Sequence, residues 1–295
     1  MFIFGENFIL GKVIFIILKA LSYLPFWYLY GLADILYLLN YYIIGYRKKV
    51  VLDNLSIAFP EKDIKEKKAI SRKFFRQFSN FIVESIKTFS MKEQEFLRRY
   101  HFENLDEISA HVIKAKKGAV IAASHQFNWE WMIYVGKPMP KEAQAFISYT
   151  PLSNKILDKL VRKNRERFGL KLAPARDFIK TLHSNKDSRL PISGLISDQS
   201  PKKTYKFRSE FFGVDVPVFT GAENIARKLD QSFWVLRVKK IKRGYYSVFF
   251  EWITDDANSY EEGALTKIYL RKTEEYIRRQ PENYLWTHRR WKHRN

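Results

Sequence analysis

The amino-acid sequence predicts an α/β protein: a mixed, mostly parallel sheet flanked by helices, with an N-terminal helical segment associated with a membrane. Three observations predict this fold class. After residue 100, short apolar stretches alternate with segments of helical periodicity, which is typical of parallel strands joined by helices. The alternating stretches 233–240 and 245–254 flank a Lys-Arg-Gly turn and predict an antiparallel hairpin. The first 46 residues are apolar, and their four charges cancel.

The composition excludes several classes of protein. The chain has 295 residues, of which 46% are hydrophobic and 16% aromatic, so it can bury a full core and is not a disordered basic chain. Because it has no cysteine, a disulfide framework, a thiolate zinc site and a cysteine nucleophile are excluded. The 52 basic residues exceed the 31 acidic ones, and the net charge of +21 points to anionic partners.

The N-terminal segment 1–46 is predicted to associate with a membrane, and residues 47–295 to form the catalytic domain. Its longest uncharged stretch, 20–33, has only 14 residues and contains Pro25, whereas a spanning helix needs about 20 apolar residues. We therefore expect two interfacial helices broken near Pro25, with a single span or a buried hairpin as alternatives. The basic body begins at Arg47, which favours an anionic membrane surface. A cleaved signal peptide is not expected, which predicts a cytoplasmic body.

The elements of the body follow from hydrophobic periodicity and from their flanking residues. Strands are predicted where continuous apolar runs of strand length occur, at 118–124, 143–149 and 190–197. Helices are predicted at 48–59, 63–88, 105–115, 128–135, 153–168, 218–229 and 260–279.

Candidate catalytic residues follow the most apolar predicted strand. In open α/β sheets, ligands bind beyond the carboxyl ends of strands, and His125 stands at such an end, five residues before Glu130. A carboxylate that reaches back to the imidazole would favour a general base. The spacing alone is weak evidence, since His101 and Asp106 share it, but His101 lies in a polar stretch. A purely structural His125 that caps the next helix remains an alternative.

Four segments of the chain resemble the lipid A late acyltransferases, the lauroyl and myristoyl transferases of the lysophospholipid acyltransferase superfamily. They are Ala-Ser-His-Gln-Phe-Asn-Trp-Glu at 123–130, Asp-Gln-Ser-Pro-Lys at 198–202 with Phe-Phe-Gly at 211–213, Pro-Glu-Asn-Tyr-Leu-Trp-Thr-His-Arg-Arg at 281–290, and Asn-Leu-Ser-Ile-Ala-Phe-Pro at 54–60. The resemblance covers nearly the whole chain, and its C-terminal stretch is the most specific part.

The resemblance implies acyl transfer from an acyl carrier protein thioester to a hydroxyl on a 3-hydroxyacyl chain of a Kdo-bearing lipid A precursor. It places the reaction at the cytoplasmic face of the inner membrane. His125 would be the general base and Glu130 would orient it. Neither a covalent acyl-enzyme nor a cofactor is implied, although Ser124 is an unfavoured alternative nucleophile. No metal site is expected, because no further cluster of residues has the spacing of metal ligands.

The resemblance also implies weaker candidates for binding the oxyanion or the acceptor. Arg165 matches an arginine of the family pattern, with a solvated helix face as its alternative. Asp198 and Gln199 match the family's Asp-Gln, and a structural turn is equally compatible with Asp198. Lys202 and Lys203 follow closely and could face the acceptor headgroup. Where the family pattern has Tyr-Arg-Pro, residues 149–151 read Tyr-Thr-Pro, so a cationic contact to the acceptor is missing or comes from elsewhere.

Other functions are less consistent with these residues. A glycerol-phosphate or lysophospholipid acyltransferase of the same superfamily usually carries a Glu-Gly-Thr-Arg-like block, and this chain has Ser-Asp-Gln-Ser at the comparable strand end, 197–200. A nucleic-acid-binding protein would fit the charge, but it gains nothing from the apolar leader, and no nucleic acid is expected as a partner. A non-catalytic membrane-surface protein would leave these motif matches unexplained.

Overall fold

A seven-stranded sheet lies at the centre of the computed structural model, which describes residues 8–184 and 189–294. Its strand order is β1-β9-β8-β2-β5-β3-β4. All neighbouring strands pair in parallel except β8 and β9, which form the antiparallel hairpin. The strands are β1 Tyr100–Phe102, β2 Ala119–Ala123, β3 Ala143–Tyr149, β4 Lys171–Pro174, β5 Leu190–Ile196, β8 Ser232–Lys242 and β9 Tyr245–Thr254. The predicted mixed, mostly parallel sheet is therefore confirmed.

Helices cover this sheet, and the first of them form the N-terminal segment, which precedes the sheet in the chain. They are α1 Phe8–Ser22, α2 Phe26–Leu38, α3 Lys48–Ala58, α4 Ile64–Lys87, α5 Glu93–Arg99, α6 Leu105–Ala115, α7 Lys155–Glu166, α8 Phe178–His183, α9 Gly221–Lys228 and α10 Ala264–Arg279. A small second sheet pairs β6 Arg208–Phe211 with β7 Val214–Pro217. Each helix and strand predicted in the body is present, although the segment after Asn128 is a 3₁₀ helix, Trp129–Gly136. Sequence periodicity did not predict β1, β4, β6, β7, α5 or α8, all of which are short.

Strand β2 is buried along its whole length, which explains its continuous apolar sequence. It pairs in parallel with β8 on one side and with β5 on the other, where Ala123 lies opposite Ile196. Because the two strands run in the same direction, the segments that follow Ala123 and Ile196 leave the sheet at the same edge.

The N-terminal segment folds as two helices separated at Pro25, as the sequence predicts. Pro25 is the N-cap of α2, and Leu29 and Ala33 pack against Val83 of α4. At the β8–β9 turn, the Arg243 guanidinium donates to both carboxylate oxygens of Asp34, at 2.9 Å each, and to the Tyr30 carbonyl, at 3.0 Å. Helix α2 is thereby fixed on the body of the protein.

Exposed apolar side chains are concentrated on the N-terminal segment. In the described residues, 14 of the 22 large hydrophobic side chains that are exposed lie between residues 13 and 46. Trp27 is 75% exposed and Ile43 is 76% exposed. Apolar patches of this kind usually mark an interaction surface. None of the helices within 8–184 and 189–294 is long and apolar enough to cross a membrane.

Candidate active site

The site is built where β2 and β5 end. His125 follows Ala123 by two residues, and Asp198 follows Ile196 by two residues. The Ser197 amide donates to the Ala123 carbonyl at 3.0 Å, which holds the two departing segments together. The parallel register therefore brings an imidazole and a carboxylate, 73 positions apart in the chain, to the same place.

The carboxylate that contacts His125 is that of Asp198. Nδ1 of His125 lies 2.7 Å from Oδ1 of Asp198, whose side chain is only 2% exposed. Burial would raise the pKa of Asp198, but the charge and hydrogen bonds of His125, together with the Tyr284 hydroxyl, outweigh it and hold that pKa below its usual value. Asp198 is thus an ionised acceptor, which assigns the imidazole proton to Nδ1 and leaves Nε2 as the basic nitrogen.

The Nε2 side of His125 faces polar and aromatic neighbours. The side-chain amide of Gln199 lies 3.2 Å from Nε2, and an amide N–H can donate to the unprotonated nitrogen. The Trp129 ring approaches the imidazole edge-on, with 5.0 Å between ring centroids. The His125 side chain is 17% exposed, so its position is fixed while Nε2 stays within reach of a bound molecule.

Glu130 is held by Arg165, not by His125. Nε and Nη2 of Arg165 donate to the two carboxylate oxygens of Glu130, at 3.2 and 2.5 Å. The expectation that Glu130 reaches back to the imidazole is wrong in its geometry, because the 3₁₀ helix that begins at Trp129 directs Glu130 towards α7. The site therefore contains a His125–Asp198 hydrogen bond and a separate Glu130–Arg165 ion pair, whose bidentate geometry fixes both side chains.

The segment 281–290 forms a wall beside the loop that carries His125. The Leu285 amide donates to the His125 carbonyl at 3.1 Å, and the Phe127 amide donates to the Asn283 carbonyl at 2.9 Å. From α3, Nδ2 of the buried Asn54 donates to the carbonyls of Trp286 and His288, at 2.8 and 2.7 Å. Three segments of the family resemblance, 54–60, 123–130 and 281–290, are thus joined by hydrogen bonds beside the candidate site.

His288 joins this wall to the segment after β5. Its Nε2 accepts a hydrogen bond from the Ser200 amide at 3.0 Å, which requires a neutral ring. Burial lowers the pKa of His288 to about 4, so the ring is neutral at physiological pH and can accept this bond.

The remaining candidates lie at different depths. Lys202 and Lys203 are exposed on the turn that follows the site. Ser124 is buried, and within the described ranges its hydroxyl has no hydrogen-bond partner. A serine nucleophile would need its hydroxyl to contact the base, so Ser124 is not arranged for nucleophilic attack.

Comparison with known families decides between the classes of protein that this geometry allows. Residues 8–293 match the family described as bacterial lipid A biosynthesis acyltransferase. The chain belongs to this family. Two similar curated proteins are the lipid A biosynthesis palmitoleoyltransferase of Escherichia coli (strain K12) and the lipid A biosynthesis acyltransferase of Shigella flexneri. Each is 21% identical over 250 residues, which cover 84% of this chain and 79% of the relative.

Membership of the lipid A acyltransferase family makes acyl transfer in lipid A biosynthesis the activity of this chain. The family resemblance inferred from the sequence motifs is therefore confirmed. The matched region includes the N-terminal helices as well as the body.

Sequence reasoning missed several residues of this candidate site. Tyr284 and His288 stand inside the C-terminal motif, and Asn54 begins the N-terminal one, but no role was assigned to them. Their position within family motifs was the only available signal, since a tyrosine or an asparagine has no local pattern that marks its partner. The direct contact between Asp198 and His125 depends on strand order and register, which the motifs do not contain.

Proposed function

We propose that this acyltransferase moves a fatty acyl chain from an acyl carrier protein thioester to a hydroxyl of a 3-hydroxyacyl chain on a Kdo-bearing lipid A precursor. The observation that carries the proposal is the His125–Asp198 contact of 2.7 Å at the ends of adjacent parallel strands, in a chain of this family. A buried carboxylate behind an imidazole is the arrangement that a general base requires.

In the proposed reaction, Nε2 of His125 takes the proton of the acceptor hydroxyl as its oxygen attacks the thioester carbonyl. The Gln199 amide must move away from Nε2 when the acceptor binds. The tetrahedral intermediate then expels the thiolate, so that the C–S bond breaks as the new ester forms. The imidazolium returns the proton to the leaving sulfur. Asp198 keeps the imidazole in the correct tautomer and stabilises its charged form.

The transfer proceeds directly between donor and acceptor, without a covalent acyl-enzyme. The chain has no cysteine, and the Ser124 hydroxyl is buried away from the base. The imidazole is instead engaged by Asp198 and Gln199.

The Glu130–Arg165 pair is proposed to stabilise the oxyanion. Glu130 engages Nε and Nη2 of Arg165, and within the described ranges Nη1 makes no hydrogen bond to the protein. A guanidinium held rigidly by one carboxylate can direct its remaining donors at a developing negative charge, and one such donor contributes about 3 kcal/mol to catalysis. Glu130 acts in this scheme by orienting Arg165, and the two residues function together.

The surface charge fits anionic substrates. Lys202 and Lys203 are exposed beside Gln199 and are proposed to face the phosphates and Kdo carboxylates of the acceptor. The net charge of +21 also favours an acidic carrier protein as the donor, because complementary charge speeds encounter.

The N-terminal segment is proposed to seat the enzyme on the anionic cytoplasmic face of the inner membrane. It presents exposed Trp27 and Ile43, and aromatic residues favour the headgroup boundary. A groove of about 880 Å³ between α1 and α7 is lined by five basic and two acidic side chains, together with Phe15 and Phe89. Basic groups next to exposed apolar ones are typical of an interfacial surface.

The test is an assay with detergent-solubilised protein, a tetra-acylated Kdo-lipid A precursor and a panel of acyl carrier protein thioesters, followed by mass spectrometry. The proposal expects a gain of one acyl chain that His125→Ala abolishes. Transfer only from coenzyme A thioesters would contradict the proposed donor. Acylation of lysophospholipid but not of the precursor would contradict the proposed acceptor. Product formation by His125→Ala at the wild-type rate would contradict the mechanism.

A further inference from the structure

Glu84 is a fully buried carboxyl group that the proposed mechanism does not use. It lies in α4 and is 0% exposed. Its Oε2 accepts hydrogen bonds from Asn128 Nδ2 at 2.9 Å and from the Tyr246 hydroxyl at 2.8 Å. Its Oε1 accepts from the Tyr30 hydroxyl at 3.0 Å. Within the described residues, no cation lies within ion-pair distance of this carboxyl group.

A buried carboxyl group without an ion-pair partner is costly for stability. Burial raises the pKa of Glu84, and the hydrogen bonds of Tyr246, Asn128 and Tyr30 only partly oppose this. The three donors come from different parts of the fold: α2, the loop after β2, and β9. Glu84 therefore acts as a junction between elements that are distant in the sequence.

One branch of the junction leads to the catalytic loop. Because Glu84 accepts from Nδ2 of Asn128, the other side of that amide, Oδ1, must face away from Glu84. Oδ1 accepts a hydrogen bond from the Glu130 backbone amide at 3.1 Å. The Trp131 indole additionally donates to the Glu84 carbonyl at 3.1 Å. Glu84 thus fixes the start of the 3₁₀ helix from which Glu130 reaches Arg165.

The other branch leads to the exposed apolar segment. Tyr30 lies one turn after Trp27 on α2, and Trp27 is 75% exposed. Arg243 holds α2 on the body, so a membrane that contacts Trp27 would act on the mobility of this anchored helix, and with it on the Tyr30 hydroxyl that contacts Oε1 of Glu84. The chain of contacts runs from Tyr30 through Glu84 and Asn128 to Glu130 without a gap.

We propose that Glu84 is a positioning residue that couples the seating of α2 on an anionic lipid surface to the geometry of the Glu130–Arg165 pair. The inference rests on the proposed function, because it assumes both the membrane surface and the role of Arg165. Glu84 is fully buried, and no chemical step is assigned to it.

Hydrogen exchange of the backbone amides in the 3₁₀ helix measures this coupling independently of acyl transfer. The full chain is compared with and without phosphatidylcholine–phosphatidylglycerol vesicles, and vesicle binding is followed by sedimentation. The wild type should exchange the amides of Trp129–Gly136 at least fivefold more slowly on vesicles. Tyr30→Phe should bind vesicles equally well but lose this slowing. Tyr246→Phe is the matched control, because it removes a hydroxyl from the same carboxyl group but keeps the ring that packs against Trp131 and leaves the Tyr30 and Asn128 contacts in place. It should keep the slowing.

Kinetics on vesicles provide the second measurement. Glu84→Gln places an amide N–H where a carboxylate oxygen accepts, so it should lower kcat at least tenfold with little change in the donor KM. Tyr246→Phe should lower kcat by less than threefold at a similar loss of Tm. A vesicle response of Tyr30→Phe equal to that of the wild type, or a kcat of Glu84→Gln within twofold of wild type, would overturn the coupling.

Failure of the proposed function has different signatures. A wild type that binds vesicles but transfers no acyl chain contradicts the reaction, and the exchange comparison still decides the coupling. A wild type that does not sediment with vesicles contradicts the membrane surface and the coupling together. In that case, if Glu84 positions the loop, the amides of Trp129–Gly136 should still exchange faster in Glu84→Gln than in Tyr246→Phe, both measured in solution. Equal exchange rates in the two variants would overturn that role as well.

Discussion

Nδ1 of His125 and Oδ1 of Asp198 lie 2.7 Å apart although 73 positions separate the residues in the chain. Each follows the end of one of two adjacent parallel strands by two residues. In contrast, Glu130, which is only five residues from His125, contacts Arg165. Sheet register, not local spacing, therefore determines which carboxylate supports the imidazole.

This contact predicts the order of severity among variants of the site. His125→Ala should abolish measurable turnover without unfolding the protein, because it removes the proposed general base. Asp198→Asn should lower kcat about 10²- to 10⁴-fold, since the amide no longer stabilises the imidazolium ion. Steady-state kinetics on the lipid A precursor, with circular dichroism of each variant, measure both effects.

The other histidine with an acidic residue five positions later provides the control. His101 is exposed on the edge strand β1, so His101→Ala should retain wild-type kcat. An inactive but well-folded His101→Ala would show that the wrong histidine has been chosen.

The Glu130–Arg165 ion pair predicts a strongly non-additive pair of substitutions. Glu130→Gln and Arg165→Met should each lower kcat about 100-fold, and the double variant should lose no more than about tenfold beyond either one, because each change already disables the same guanidinium. The free energies of activation from a double-mutant cycle measure this coupling.

A second cycle separates the Glu130–Arg165 ion pair from the His125–Asp198 hydrogen bond. Glu130→Gln and Asp198→Asn act on different partners, so their losses in kcat should be closer to multiplicative than those of the first cycle. If Glu130→Gln coupled to Asp198→Asn as strongly as to Arg165→Met, Glu130 would act through the imidazole after all.

His288 predicts how stability depends on pH. Burial lowers the pKa of His288 in the folded protein to about 4, from 6.5. Below pH 6.5 the unfolded chain gains a proton that the folded protein does not, so the free energy of unfolding falls as the pH drops from about 6.5 to about 4. His288→Gln keeps an acceptor for the Ser200 amide but does not titrate, and its stability should fall less over this range. Urea midpoints at pH 7, 6 and 5 compare the slopes, and identical slopes would contradict the assignment.

The exposed N-terminal side chains predict membrane binding. The double variant Trp27→Ser with Ile43→Ser should weaken binding to anionic vesicles about tenfold or more. In the wild type, each of these side chains moves apolar surface out of water when the protein binds the membrane, and serine removes that contribution. The matched control combines Trp252→Ser with Ile113→Ser, two exposed residues of the body, and should bind as the wild type does. Vesicle sedimentation measures both variants, and equal binding by the two would contradict the interfacial surface.

The fold could be predicted from the sequence where elements were long or fully buried. The apolar run of β2 and the periodic pattern of α4 are clear in the sequence, because burial requires apolar residues at every position of β2 and along one face of α4. β1 and β4 have three and four residues, too few to establish a period. The π-helical turn Leu39–Ile44 after α2 likewise has no simple sequence pattern.

The site was predictable in its residues but not in its contacts. His125 was identified because it follows an apolar strand, and Asp198 and Arg165 through the family pattern. The pairing of His125 with Asp198 depends on β5 lying next to β2, although β3 and β4 intervene in the sequence, and strand order is not encoded locally. Catalytic roles for these residues remain predictions that the variants above test.

The parallel pairing of β2 with β5 also limits how the length of this chain can change. Successive side chains of a strand point to opposite faces, so inserting or deleting one residue within β2 or β5 would turn His125 or Asp198 away from its partner. The same change in the connection between β9 and α10 leaves the register untouched. Length variation compatible with activity should therefore accumulate in such connections, while the two strands tolerate substitution but not insertion or deletion.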